Sequence, residues 1–217
     1  MRLMPLGSAV LVLVMSGPSF AQEWTEFASR EEHFTITFPG QPKVTETTWT
    51  SQFGTILPAR IYTGPEGSSR YQVTVVDYTP DERLLTERSR TLPALDLAIH
   101  DYGPGYWKTD VRSAVVYAAS KFLERDAKVE TIMASLADLV SGLLVQLTNK
   151  DQSRTYASIY MHENRLIIAE ATVPKGYPAP IIFQQSLGWL DEEGRRVRYQ
   201  YPYHNDPDVP KPSGRGR

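Results

Sequence analysis

Three consecutive runs set the pattern of this chain: Leu143–Thr148, Arg154–His162 and Arg165–Val173 are dominated by β-branched and aromatic residues. The polar clusters Asn149-Lys150-Asp151-Gln152 and Glu163-Asn164 separate them. Such runs, broken by short polar turns, are consecutive antiparallel hairpins. With Glu163-Asn164 as the turn, His162 faces Arg165, Tyr160 faces Ile167 and Ser158 faces Ala169 on one side of the sheet. Met161, Ile159 and Ala157 oppose Leu166, Ile168 and Glu170 on the other. Both faces are partly apolar, so both are expected to be covered, and helices are the expected cover.

The remaining elements follow from the same periodicities. Phe34–Phe38 alternates and stops at Pro39-Gly40-Gln41-Pro42. Lys43–Thr50 is a threonine-rich, half-exposed strand, Thr55–Thr63 a third strand weakened by Pro58, and Arg70–Tyr78 a fourth with Tyr71, Val73 and Val75 on one face. The period then lengthens. Leu92, Leu95, Ala98 or Ile99, and Tyr102 recur at helical spacing, with Pro93 in the first turn, and Gly103-Pro104-Gly105 ends that run. Val111, Ala114, Val115, Ala118, Ala119, Phe122 and Leu123 form an unbroken helical stripe behind Thr109 or Asp110 as N-cap. Lys128–Leu136 alternates again and leads into the hairpins. Past Gly176-Tyr177-Pro178-Ala179-Pro180, the segment Ile181–Leu190 reads as a last helix with Ile182, Phe183, Ser186, Leu187 and Leu190 inward.

The first residues change the picture from cytosolic to exported. Arg2, the apolar run Ala9–Met15 and the small-x-small triplet Ser19-Phe20-Ala21 are the three parts of a secretory signal, so residues 1–21 are expected to be removed and the mature chain to start at Gln22. No later stretch is apolar enough for a transmembrane segment. The chain has no cysteine, which removes disulfides, thiol nucleophiles and a lipid-acceptor cysteine, and leaves a hydrophobic core as the source of stability. A periplasmic or secreted location is the expectation. Residues 22–193 read as one domain. Residues 194–217, rich in Arg, Tyr and Pro, read as a disordered basic tail. The charge of the whole chain is −2, so a cationic tail leaves the body acidic, the opposite of what a nucleic-acid-binding domain presents.

Chemistry-bearing motifs are absent from the sequence. It has no phosphate loop, no Gly-x-Ser-x-Gly elbow, no Ser-x-x-Lys pair and no His-Glu-x-x-His. His33, His100, His162 and His204 have no second ligand at metal spacing, so neither a metal nor a cofactor is expected, and no catalytic residue is assigned. Two groups remain as candidate ligand- or partner-binding residues. Tyr102, Tyr106 and Trp107 flank a glycine-rich connector that either lines a pocket or plugs one end of the core. Tyr156 and Tyr160, with Arg154, Ser158 and His162, share one face of a central strand, either as the floor of a polar cleft or as half-buried rings with solvated hydroxyls. The tail's Arg195–Tyr203 mixes cations with aromatics, a composition suited to anionic surfaces or to a solubilising end.

Phe34-Thr35-Ile36-Thr37-Phe38-Pro39-Gly40-Gln41-Pro42 resembles the F-x-V-x-F-P-G-x-P opening of a group of small exported bacterial proteins. Asn164-Arg165-Leu166 and Phe183-Gln184-Gln185-Ser186-Leu187 are similar to that group's R-L-Y strand and closing F-x-x-S-F helix, with Ile167 and Leu187 as departures. The resemblance implies a Mog1/PsbP-like fold over most of Glu23–Leu190. Its expected form is α+β, an antiparallel sheet flanked by helices on both faces, an α/β/α sandwich. Named members of that fold act by binding, and none of their functional residues maps onto this chain. The expected function is therefore a non-enzymatic exported binding or accessory module, with a protein or small-molecule partner in the cell envelope. The alternatives are a hydrolase or other enzyme with an unrecognised site, for example one using His100 or His162 with a neighbouring carboxylate, and an envelope-interaction protein using its basic-aromatic tail.

Overall fold

The computed structural model describes residues 23–65, 67–91, 105–210 and 215–216. The expected signal segment, the helix over Leu92–Tyr102 and Tyr102 itself lie outside the described residues.

A seven-stranded antiparallel sheet forms the centre, from β3 (Lys43–Thr50), β4 (Ile56–Thr63), β5 (Arg70–Asp77), β6 (Ala127–Ala137), β7 (Val140–Asn149), β8 (Arg154–His162) and β9 (Arg165–Val173). Its order is β3-β4-β5-β9-β8-β7-β6, so the hairpin strands β8 and β9 lie inside it and β6 is an edge. The register between β8 and β9 is the one the sequence dictates: His162 opposes Arg165, Tyr160 opposes Ile167 and Ser158 opposes Ala169. Glu163 and Asn164 both have left-handed φ, 48° and 58°, as a two-residue hairpin turn requires.

One face of this sheet is covered as expected. Helix α1 (Asp81–Thr91) and helix α2 (Tyr106–Leu123) lie on that side. Val111, Ala114, Ala118, Ala119 and Phe122 of α2 are buried against Val145, Leu147, Ala157, Ile159, Met161, Leu166 and Ile168. The N-cap is Gly105 at φ 100°, one turn earlier than expected, and Asp110 is a fully buried residue within the helix.

The other face corrects the α/β/α sandwich expectation. A second antiparallel sheet covers it, built from β1 (Trp24–Ser29), β2 (Phe34–Pro39), β10 (Gly188–Leu190), β11 (Arg196–Arg198) and β12 (Arg215–Gly216) in that order, together with the five-residue helix α3 (Ile181–Gln185). Phe34, Ile36, Phe38, Phe183, Leu187 and Trp189 from this layer bury against Val73, Val75, Tyr160, Ile167, Ala169 and Ala171 of the large sheet. The layers are thus helix, large sheet, small sheet. Strands β8 and β9 read as almost continuously apolar because alternate residues enter two different cores.

The last helix is shorter than its periodicity suggests. Ile182 is 57% exposed, and the chain leaves the helix after Gln185 so that Trp189 can pair with Phe34 of β2 and Val197 of β11. The expected disordered tail is likewise corrected over residues 196–203. Tyr199 and Tyr203 are buried, and Tyr203 exchanges backbone bonds with β7, donating to Leu139 O and accepting from Ser141 N–H. Tyr199 and Tyr203, spaced among Pro and Arg with the exposed Tyr201 between them, hide their inward direction from any periodicity test, yet each removes a large apolar area from water.

Candidate functional site

Ser135 on β6, Gly142 on β7 and Tyr160 on β8 oppose one another in a single row across three strands. A Cβ at Gly142 would lie 2.2 Å from the Tyr160 ring, so glycine is what lets the phenol pass over β7. Its Oη then meets Ser135 Oγ at 3.0 Å. Burial raises the Tyr160 phenol pKa above its ordinary value, and the Ser135 hydroxyl opposes that shift.

This hydroxyl pair lines a cleft of about 470 Å³, within the roughly 300–1,000 Å³ typical of ligand sites. Leu136, Leu144, Ile181 and Leu187 supply its apolar walls. Gln184 and Gln185 at the end of α3 add amides, and β11 contributes Arg196 and Arg198. Asp138, in the β6–β7 turn, is the one carboxylate on the wall. The elements come from four distant parts of the chain, joined because β10 and β11 fold back over the open end of the β6–β7–β8 meander. Trp189 holds that arrangement: its Nε1–H donates to Ala137 O at 2.8 Å, and its ring stacks on His162 with centroids 4.5 Å apart.

The structure separates the candidate binding residues. Tyr160 lines the cleft. Tyr156 lies four residues away on the same strand, 7% exposed, with the Arg154 guanidinium over its ring at 5.7 Å, and is not on the cleft wall. Tyr106 and Trp107 open helix α2 on the opposite face of the sheet. Trp107 packs half-buried against the helix-side core, and Tyr106 sits 5.9 Å from the Phe53 ring. The two pairs cannot form one site. The polar strand face is not an open cleft along its length either: Ser158 is fully buried, and His162, 1% exposed, shares a 2.7 Å bond between Nε2 and Tyr199 Oη.

One histidine does meet a carboxylate. His33 Nδ1 lies 2.6 Å from Glu163 Oε2, linking the β1–β2 turn to the β8–β9 turn. Beside it Glu32 binds Arg60 at 2.9 Å and Arg165 at 3.4 Å. Burial raises the Glu32 pKa, which those two arginines oppose. This network ties the β1–β2 turn of the small sheet to strands β4 and β9 of the large one. His204 is exposed, and His100 lies outside the described residues. Among the described residues no three His, Cys, Asp or Glu side chains converge as a metal site.

A second polar centre sits between the β3–β4 turn and the two long helices. Asp81 and Asp110 are both 0% exposed, and Ser51, Thr55 and Tyr78 beside them are buried as well. The Ser51 hydroxyl donates to Asp110 Oδ2, while neither oxygen of Asp81 meets a donor in hydrogen-bond geometry. Burial first, and the Asp110 charge second, push the Asp81 carboxyl up to about 7. Burial pushes Asp110 up to about 6, against the pull of Ser51 and the Gln52 and Phe53 N–H groups. Closed to solvent, this pair acts on stability rather than on a ligand.

Sequence reading missed Ser135, because no motif links positions so far apart, and placed Arg196 and Arg198 in a basic tail rather than on a cleft wall, because their segment has no periodicity. A lone glycine within a strand, Gly142, was the available signal of a close approach.

Among the described residues no helix is long and apolar enough to cross a membrane. No protein-family model matches the chain, and no curated protein matches it in sequence. Among solved structures it is similar to the solution structure of cyanobacterial PsbP (CyanoP) from Synechocystis sp. PCC 6803, at 13% identity over 86% of this chain and 99% of that one, with a TM-score of 0.44. Nothing about activity follows from it.

Proposed function

We propose that this chain is an exported, non-enzymatic binding module that holds a small ligand in the Tyr160 cleft. The carrying observation is the cleft itself: Leu136 and Ile181 on its wall are 57% and 55% exposed, and they face donors rather than a reactive constellation. Exposed aliphatic side chains beside a few convergent polar groups are the usual composition of a ligand site. The Ser135 and Tyr160 hydroxyls are not a nucleophile and its base, since a phenol whose pKa is raised holds its proton at neutral pH. The signal pattern of residues 1–21 supports a periplasmic or secreted location, and an envelope component as the ligand.

Retention of small molecules tests this reading. The purified chain is incubated with a small-molecule extract of cell envelopes, washed, and its bound compounds are released and identified by mass spectrometry. A compound held at about one per chain, and lost from Leu136→Glu and Ile181→Glu while circular dichroism is unchanged, is the expected result. Equal retention by the variants would place binding elsewhere, and retention of nothing by the native chain would remove the reading.

A further inference from the structure

Charge on the cleft wall narrows the ligand. Arg196 and Arg198 stand two residues apart on β11, and Asp138 is the one opposing charge, so the lining is cationic by one. Neither arginine is firmly neutralised within the fold. Arg196 makes a single ion pair among the described residues, to Glu26 Oε1 at 3.6 Å, beyond hydrogen-bond length. That same Glu26 oxygen already accepts the Thr35 hydroxyl at 2.7 Å. The Arg196 Nε is buried with no hydrogen-bond partner, and the guanidinium is held against Gly188, where a Cβ would lie 2.7 Å from it. Arg198 is exposed and makes no ion pair among the described residues. A guanidinium with open donors recognises a planar carboxylate by two parallel bonds, and Gln184 and Gln185 add neutral donors on the same wall.

Apart from the Ser135 and Tyr160 hydroxyls, the rest of the lining is aliphatic. Leu136 and Ile181 are each more than half exposed, and Leu144 and the buried Leu187 lie on the same wall. A small hydrophilic anion would leave these side chains wet, and a neutral hydrocarbon would leave the arginines unanswered. The volume, about 470 Å³, exceeds the roughly 160–280 Å³ of four other clefts on the molecule and has room for more than a head group.

We infer that the Tyr160 cleft takes a monomeric alkyl carboxylate, its head on Arg196 and Arg198 and its chain along Leu136, Ile181 and Leu144. This rests on the cleft being the ligand surface proposed above. It is a site for a single amphiphile rather than for a membrane, because the arginines lie on the wall of a concavity and not on a flat basic face.

Calorimetric titration of the full chain, below micellar concentrations, tests it with sodium dodecanoate, dodecyltrimethylammonium, 1-dodecanol and acetate. Dodecanoate is expected to bind one per chain, 1-dodecanol at least tenfold more weakly, and the cation and acetate not at all. Arg196→Gln with Arg198→Gln should raise the Kd for dodecanoate at least tenfold and leave that for 1-dodecanol unchanged. Arg198→Gln alone, at an exposed position, should raise it several-fold and serves if the double variant folds poorly. Equal affinity for the cation, or arginine variants with native affinity, would overturn the ligand class while leaving the cleft in place. Sedimentation with phosphatidylglycerol vesicles but no uptake of free dodecanoate would overturn it too, in favour of a surface-adhering protein. Dodecanoate binding that survives Leu136→Glu unchanged would instead overturn the cleft as the site.

Discussion

Asp81→Asn should stabilise the folded chain at pH 8 by up to about 4 kcal/mol and remove most of the fall in stability between pH 4 and pH 7. Asp81 and Asp110 share a closed, low-dielectric space, and ionising either there is opposed by lost hydration. The folded values, about 7 and about 6, lie above the ordinary aspartate value of 3.8. The native state therefore binds more protons than the unfolded chain through that interval, so stability declines as pH rises from about 4 to about 7 and is level beyond. Asparagine keeps the shape of Asp81 and its place in the first turn of α1, and removes the charge. Urea melts of the native chain and of Asp81→Asn at pH 4.5, 6 and 8 measure both effects. A native chain as stable at pH 8 as at pH 4.5, or an Asp81→Asn that is weaker at pH 8, would show that the carboxyl is stabilised by ionisation.

Trp189→Ala should cost about 4–8 kcal/mol, the largest loss from any single truncation in the small sheet. The ring is 0% exposed, stacks on His162 and lies 6.0 Å from Tyr160. Removing a buried aromatic costs about 3–5 kcal/mol, and the Ala137 carbonyl left without its donor adds roughly 1–3 kcal/mol. Trp189 is also the residue through which the three-residue strand β10 pairs with both β2 and β11. Its loss should free residues 196–203, so trypsin should cut the variant at Arg196 and Arg198 under conditions where the native chain resists. A loss below about 1.5 kcal/mol with unchanged trypsin resistance would mean that the small sheet does not depend on this ring.

Long elements were legible in the sequence because each satisfies one period over many residues. The β8–β9 register follows from a two-residue turn and alternation over nine-residue strands, and α2 follows from its unbroken stripe. The small sheet was not legible. Gly188–Leu190 and Arg196–Arg198 are too short to display a period, and the Ile181–Leu190 run mimics a helical face although its first two residues are exposed. Asp110 has the residue type of an N-cap, and its burial depends on a turn nearly sixty positions earlier, through Ser51. The cleft was half legible: Tyr160 was named from its strand face, whereas Ser135, Gln184 and Arg196 meet it through topology alone. Tyr106 and Trp107, the other candidate group, lie across the large sheet from it.

The location of the ligand surface is the point on which the functional reading turns, and amide chemical shifts report it directly. In a ¹H–¹⁵N correlation titration with sodium dodecanoate, the amides of residues 135–138, 184–187 and 196–198 should move together with a single saturation curve. Those of Tyr106, Trp107 and strand β3, across the sheet, should stay still. Movement confined to Tyr106, Trp107 and β3, with the 135–138 and 196–198 amides unmoved, would contradict it.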